Sequence, residues 1–456
     1  MKTLVKLGVL IVMVAVSACE DDVIQPGEKG WKKHAWKIPY YNAVIRSYDS
    51  EIVLKWNEAL GLAIENKMPT SAEAKIFAMV SLAIHDALNN IIPKYELYAT
   101  GNITENAEGL TKWNVSEIAD AAVAQAAHDA LVTLFPPSKV NADNLLVECL
   151  SKIENSELKA RGIAIGMDAA SAVLTKRQGD PPMTFSAYSQ GTDPGTHQAN
   201  YMPFAVANPP LWPANAVYGA NLGSFTPFGI ASAGQFRPGP PNALTSSAYT
   251  KDYNEVKVLG CAACPDRTEE QTEIGNFWKG NTSGPMNTIA RLLAVQRHLN
   301  GWETARLLAL TQMAQADANI ASFEAKYYYN YWLPITAIRA GDTDGNDDTH
   351  GDAAWAPAVA PPPTPDYPST PATAGGASAE IFRQFFGTDR RSFTIENLPG
   401  IKRKYTSFSE FSVENSLARI YVGSHFRNSV TEGEKQGRKI GKYIIQNNLK
   451  EVVDFL

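Results

Sequence analysis

From residue 41 onward, apolar and small residues recur at three- and four-residue intervals over most of the chain. The runs EIVLKWNEALGLAIEN (51–66), SAEAKIFAMVSLAIHDALNNI (71–91), SEIADAAVAQAAHDALVTLF (116–135), LKARGIAIGMDAASAVLTKR (158–177) and the long stretch from Met286 to Trp332 all repeat this spacing. It puts the apolar side chains on one face of a 3.6-residue turn and predicts helices. Alternating patterns of the kind that make strands are almost absent, so the sequence predicts an all-α protein of ten or more helices.

Small residues form two stripes at four-residue spacing, Gly162, Gly166 and Ala170, and Gly433, Gly437 and Gly441. In water such stripes let helices cross closely. The proline- and glycine-rich stretch from 179 to 249 is too aromatic for a linker, and is expected to cover a helical face or wall a cavity. A second irregular stretch runs from Gly341 to Thr373. Its Asp342, Asp344, Asn346 and Asp348 resemble the start of a calcium loop, but Asp347 stands where such a loop needs glycine and Ala353 where it needs glutamate. It is read as a solvated turn, and calcium is not expected.

The N-terminus follows a different logic. MKTLVK carries two lysines, LGVLIVMVAV is a short apolar run, and Val16-Ser17-Ala18 precede Cys19. This resembles a bacterial lipoprotein signal, with residues 1–18 removed and lipid carried on Cys19. The polar residues 19–40 then form a tether. No later stretch approaches the roughly 18 apolar residues of a spanning helix. The expected address is an exported lipoprotein held by its lipid alone, at the outer membrane facing the periplasm or at the cell surface.

With 41 basic and 47 acidic side chains the chain is mildly acidic. That excludes bulk nucleic-acid binding, so any anion site has to be built locally. An exported compartment permits oxidation, and Cys261 and Cys264 in CAACPD are close enough for a small structural disulfide. No further cysteine or histidine pair supports zinc.

Three C-terminal segments concentrate cations and hydroxyls beside aromatics: KYYYNYWLPITAIR (326–339), PDYPSTPATAGGASAEIF (365–382) and ENSLARIYVGSHFRNS (414–429). Lys326, Ser369, Arg419 and His425 together would neutralise a tetrahedral oxyanion such as phosphate or vanadate. These segments resemble the three motifs of the vanadium-dependent haloperoxidase and type-2 phosphatidic acid phosphatase superfamily. FAMVSLAIHDALNN, AAHDALVTLFP and QFRPGPPNALTSSAY extend the similarity to its haloperoxidase-type branch, over about residues 40–448.

The resemblance implies a fold of two packed helix bundles. It divides the chain into an N-terminal helical part, 41–250, and a C-terminal bundle, 251–456, that carries the pocket. It implies that His425 ligates vanadium and, with Lys326, is catalytic, while Lys326, Ser369, Thr370 and Arg419 hold the oxyanion; no nucleotide is implied. Hydrogen peroxide and halide would be the substrates. The alternatives are a phosphomonoesterase working on phosphate esters through a phosphohistidine at His425, and an inactive anion-binding or interaction lipoprotein.

Five motif positions depart from the superfamily pattern. Leu333 stands for an arginine, Thr370 for a glycine, Pro371 for a histidine, Ala418 for a serine and Ser429 for an aspartate. Proline offers neither a titratable group nor an N–H, so the second histidine has no replacement at that position. Arg339 or Arg427 would have to lean in to replace the guanidinium lost at Leu333. The alternative for Arg339 is a pair with an aspartate of the following loop, and Lys402, Arg403 and Lys404 are read as a solvated basic run. Without the aspartate at 429, some other group must orient the His425 ring.

His85 and His128, each in an HDA triplet on an apolar face, are read as hydrogen-bonded core residues. His34, His197, His298 and His350 are read as surface or loop residues. Tyr327, Tyr328, Tyr329, Tyr331, Trp332 and Tyr421 divide between core and cavity wall.

Overall fold

Asn300 opens the longest helix. Its side chain accepts from Glu303 N–H while the Glu303 carboxylate accepts from Asn300 N–H, a reciprocal cap at the first turn. The helix stops 29 residues later at Asn330, whose left-handed backbone (φ 49°) returns its N–H to the Lys326 carbonyl. Lys326 is thereby fixed in the last turn.

The computed structural model describes residues 38–99, 106–181, 185–187, 191–198, 216–280, 282–361, 363–398 and 400–452. The expected signal, Cys19 and most of the tether lie outside them, as does His34. The described residues hold fourteen α-helices. In chain order they are α1 (Ile38–Ser47), α2 (Glu51–Ile64), α3 (Thr70–Ile91), α4 (Val115–Leu134), α5 (Lys139–Ser151), α6 (Ser156–Lys176) and α7 (Ser247–Leu259). There follow α8 (Glu269–Trp278), α9 (Ser283–Gln296), α10 (Gly301–Tyr329), α11 (Pro334–Arg339), α12 (Thr370–Phe385), α13 (Phe408–Tyr421) and α14 (Arg427–Asn447). No described helix is long and apolar enough to cross a membrane.

Two bundles share α10. On one side it packs against α3, which packs with α4 and α6; on the other it packs against α12 and α14, with α13 beside them. The two glycine stripes make the closest crossings. A side chain at Gly162 or Gly166 would run into the Ile118 or Ala122 carbonyl of α4, and one at Gly433, Gly437 or Gly441 into the Ser369, Thr373 or Ala377 carbonyl. The second stripe therefore seats α14 directly on the first turns of α12.

Because α10 is buried on nearly every side, its polar residues need internal partners. Gln312 donates to Asn287, which donates to Asn57. Asp317 accepts the backbone N–H groups of Phe228, Gly229 and Ile230. These last bonds fasten the proline-rich excursion, where described, along α10, as expected for a segment that covers a helical face.

The structure also corrects the sequence expectations. Residues 390–407 form an antiparallel hairpin, which the near absence of strand patterns did not predict. Naming the short pair Phe185–Ala187 and Ala216–Tyr218 β1 and β2, this hairpin is β3 (Arg390–Leu398) and β4 (Ile401–Ser407), with Phe393 opposite Tyr405. Phe393, Ile395 and Tyr405 turn into the core. The basic run on β4 is not all solvated, since Arg403 is largely buried and binds Glu414, Glu270 and Glu273.

The loop after α11 satisfies its own side chains. Asp344 accepts from Thr349 and from the Asn346 N–H, and Asp342 accepts from the Gly351 N–H. His85 and His128 are hydrogen-bonded helix residues: His85 contacts Asp86, and His128 contacts Asp129 and Asp143. Cys261 and Cys264 form a disulfide.

Candidate functional site

Four chain ends converge at one end of the second bundle. Lys326 comes from the last turn of α10, Ser369 is the residue that opens α12, Arg419 lies in the last turn of α13, and His425 sits in the turn before α14. That turn needs Gly423, which has φ +77° and lies so close to Trp355 and Pro357 that a side chain would collide with them. Lys326, Ser369, Arg419 and His425 are all buried.

Asp366, which stands outside the motif positions, ties these pieces together. Its Oδ1 lies 2.6 Å from His425 Nδ1, its Oδ2 accepts the Ser429 hydroxyl, and its backbone carbonyl accepts Lys326 Nζ at 2.9 Å. Lys326 Nζ also donates to the Pro365 carbonyl at 2.7 Å. The Ser369 N–H donates to the Ser429 carbonyl at 2.9 Å, closing the second and third motifs on each other. The signal was present in PDYPST, an acid in a proline-rich apolar stretch, but its partner lies 59 residues away.

Ser369 Oγ and Arg419 Nε, two donors in this cluster, are buried and have no hydrogen-bond partner among the described residues. Ser369 Oγ does not cap α12, and Arg419 Nε is unpaired although another guanidinium nitrogen bonds the Trp278 carbonyl. Unpaired buried donors beside a lysine and an imidazole fit an oxyanion, which would accept from each. The Thr370 hydroxyl lies 2.9 Å from the Ser322 hydroxyl, each able to donate to the other.

Burial sets the charge states. It lowers Lys326 to about 7, against a smaller opposing pull from Asp366, and lowers Arg419 to about 10. His425 is lowered by burial; Asp366 opposes, while the charges on Lys326 and Arg419 push further down. The pull of Lys326 and Arg419 on the His425 ring places both cations in its electrostatic neighbourhood.

The structure does not replace the arginine lost at Leu333. Leu333 is buried in an apolar cluster with Trp332, Ile335 and Tyr367. Arg339 is exposed and bonds the Trp355 carbonyl, not an aspartate of the following loop. Arg427 is held by both carboxylate oxygens of Glu255.

His197 lies in irregular chain, as expected of a surface or loop residue, but not at the surface. It is fully buried, its N–H donates to the Asn330 carbonyl just beyond Lys326, and burial with the Lys326 charge lowers its ring to about 3. The aromatic run divides between core and surface, where core and cavity wall were expected. Tyr331 and Trp332 are buried with Tyr367 and Phe426, whereas Tyr328 is exposed under the Arg237 guanidinium.

Vanadate fits the donor set in part. His425 can offer a ring nitrogen, Lys326 and Arg419 positive charge, and Ser369 a hydroxyl, while the fork lost at Leu333 and the imidazole lost at Pro371 leave two sides undersupplied.

Comparison with known proteins bears on the same region. Residues 306–453 match the family model of the VCPO second helical-bundle domain. The chain is 26% identical to the vanadium chloroperoxidase of Curvularia inaequalis, over 83% of this chain and 79% of that protein. In fold it is similar to a bacterial vanadium-dependent iodoperoxidase, with TM-score 0.70, 21% identity and coverage of 89% of this chain and 98% of the other. A bacterial vanadium-dependent chloroperoxidase in its holo form is similar at TM-score 0.68 and 18% identity, over 88% and 97% of the two chains. Matched in sequence to a vanadium chloroperoxidase, most specifically through the second bundle, and in fold through most of its length, the chain has the all-α fold of the vanadium haloperoxidases and resembles their haloperoxidase-type branch.

Proposed function

We propose that the pocket binds a tetrahedral oxyanion and that the protein, loaded with vanadate, is a peroxidase that uses hydrogen peroxide to oxidise halide. The observation that carries this is the pair of buried, unpartnered donors, Ser369 Oγ and Arg419 Nε, beside His425 and Lys326. Bound vanadate would supply a Lewis-acidic centre that polarises peroxide. Around it His425 would give a ring nitrogen, Lys326 and Arg419 would neutralise negative oxygens, and Ser369 would donate one hydrogen bond. Leu333 supplies no bidentate fork and Pro371 no proton, so turnover is expected to be slow. Titrating the purified protein with vanadate and peroxide while following halide-dependent bromination of a dye tests this. Absence of vanadate-dependent turnover overturns it.

A phosphomonoesterase is the second reading, favoured by the Asp366–His425 contact, because a carboxylate-oriented imidazole is a competent nucleophile. It lacks an acid for the leaving group at Pro371. Nitrophenyl phosphate bypasses that need, and hydrolysis lost in His425→Ala would move this reading to first place. If the pocket binds sulfate or phosphate but turns over neither substrate class, the third reading, an anion-binding lipoprotein, takes over.

The lipoprotein address is part of the same proposal and rests on the sequence around Cys19. Cys19→Ala should move the protein from the membrane fraction to the soluble exported fraction and abolish fatty-acid labelling; an unchanged distribution removes the anchor.

A further inference from the structure

We propose that Asp366 is the positioning residue of this site: its carboxylate, held by the Ser429 hydroxyl, fixes the His425 ring in the tautomer that keeps a lone pair on Nε2. The proposal deepens the oxyanion reading and rests on it for the use of that lone pair, though not for the tautomer itself.

Asp366 is fully buried, and its two carboxylate oxygens face two partners, His425 Nδ1 at 2.6 Å and the Ser429 hydroxyl. A carboxylate only accepts, so both partners must donate, which puts the imidazole proton on Nδ1. The neutral ring then has no proton on Nε2, which is free to bond to vanadium or phosphorus.

Ser429 does two jobs. Its hydroxyl orients the carboxylate and its carbonyl accepts the Ser369 N–H at 2.9 Å. The group that orients the imidazole and the hydroxyl that would contact the anion are therefore linked through one residue. A carboxylate grown from position 429 would start within hydrogen-bonding reach of where the Asp366 carboxylate now stands, so the two positions are interchangeable supports for one ring.

Nitrogen NMR of the full-length protein with ¹⁵N-labelled histidine, His425 being assigned by its loss in His425→Ala, reads the tautomer directly. A protonated Nδ1 and an unprotonated Nε2 are expected; the reverse pattern overturns the proposal without any variant at Asp366. Asp366→Asn keeps the shape but can donate to Nδ1, and is expected to shift the ring toward the Nε2–H tautomer. Its affinity for phosphate and vanadate, measured by calorimetry, should fall about 10- to 100-fold. The double variant Asp366→Ala with Ser429→Asp should recover the wild-type tautomer and most of the affinity, which a merely space-filling role for Asp366 would not produce. Wild-type affinity in Asp366→Asn, or no recovery in a folded double variant, overturns the proposal. If the tautomer is as stated but no oxyanion binds, it is the oxyanion reading that fails.

Discussion

Lys326 is the residue whose chemistry is most exposed to test. Burial lowers it to about 7, well below an unperturbed lysine at about 10.4. Since the folded value lies below the unfolded one, this group favours folding most above the unfolded value. That contribution is lost as pH falls toward 7. A bound anion pulls the other way by stabilising the ammonium. Sulfate, which does not titrate in this range, should therefore bind with proton uptake above pH 7 and lose roughly tenfold in affinity between pH 7 and pH 8.5. Calorimetry in two buffers of different ionisation enthalpy measures both quantities, and a pH-independent affinity would contradict this account.

At the same scale, the sequence yields Lys326, Ser369, Arg419 and His425 because each sits at a fixed distance from a recognisable neighbour. Asp366 and His197 were not legible, because their importance comes from contacts across the fold: Asp366 meets a ring 59 residues away, and His197 meets the Asn330 carbonyl through an irregular segment. PDYPST marks an acid in a proline-rich stretch, but nothing local in either segment names the partner it meets.

Among the elements, helices were easy to read because long apolar periodicity is a strong signal, whereas β3 and β4 were missed. Their alternation is short and is interleaved with five basic residues, Arg390, Arg391, Lys402, Arg403 and Lys404, and Arg403 is buried by its acidic partners. The small-residue stripes were legible as close crossings, and the structure says which crossing serves the site. Alanine in place of glycine within a helix ordinarily stabilises by roughly 0.5–1 kcal/mol. Here overpacking opposes that, by typically about 1–3 kcal/mol. Gly162→Ala and Gly437→Ala should both lower stability in denaturant unfolding. Only Gly437→Ala should also weaken sulfate binding, because it pushes α14, and with it Ser429, away from α12 and Ser369. Equal loss of binding in both variants would break that link.

For the whole molecule, the division at residue 250 expected from the sequence leaves α10 in the second piece while α3, against which it packs, lies in the first. α10 packs on α3 as well as on α12 and α14, so residues 251–456 alone would expose the apolar surface that α3 now covers. Residues 251–456 produced alone should fail to fold, with little protection in hydrogen exchange, and a cooperatively folded fragment would show the halves to be autonomous.

The end of α10 carries a consequence for how the site is kept. Its lysine hangs from a beam whose other end is anchored in the opposite bundle, so loosening at either bundle is transmitted along the same rod. Calorimetry should accordingly find a single melting transition, with added sulfate raising the midpoint of the entire chain rather than of one half. The anion pocket is then as durable as the keystone that joins the two arches, and a variant that weakens the distant contact between α3 and α10 should be partly rescued by the anion itself.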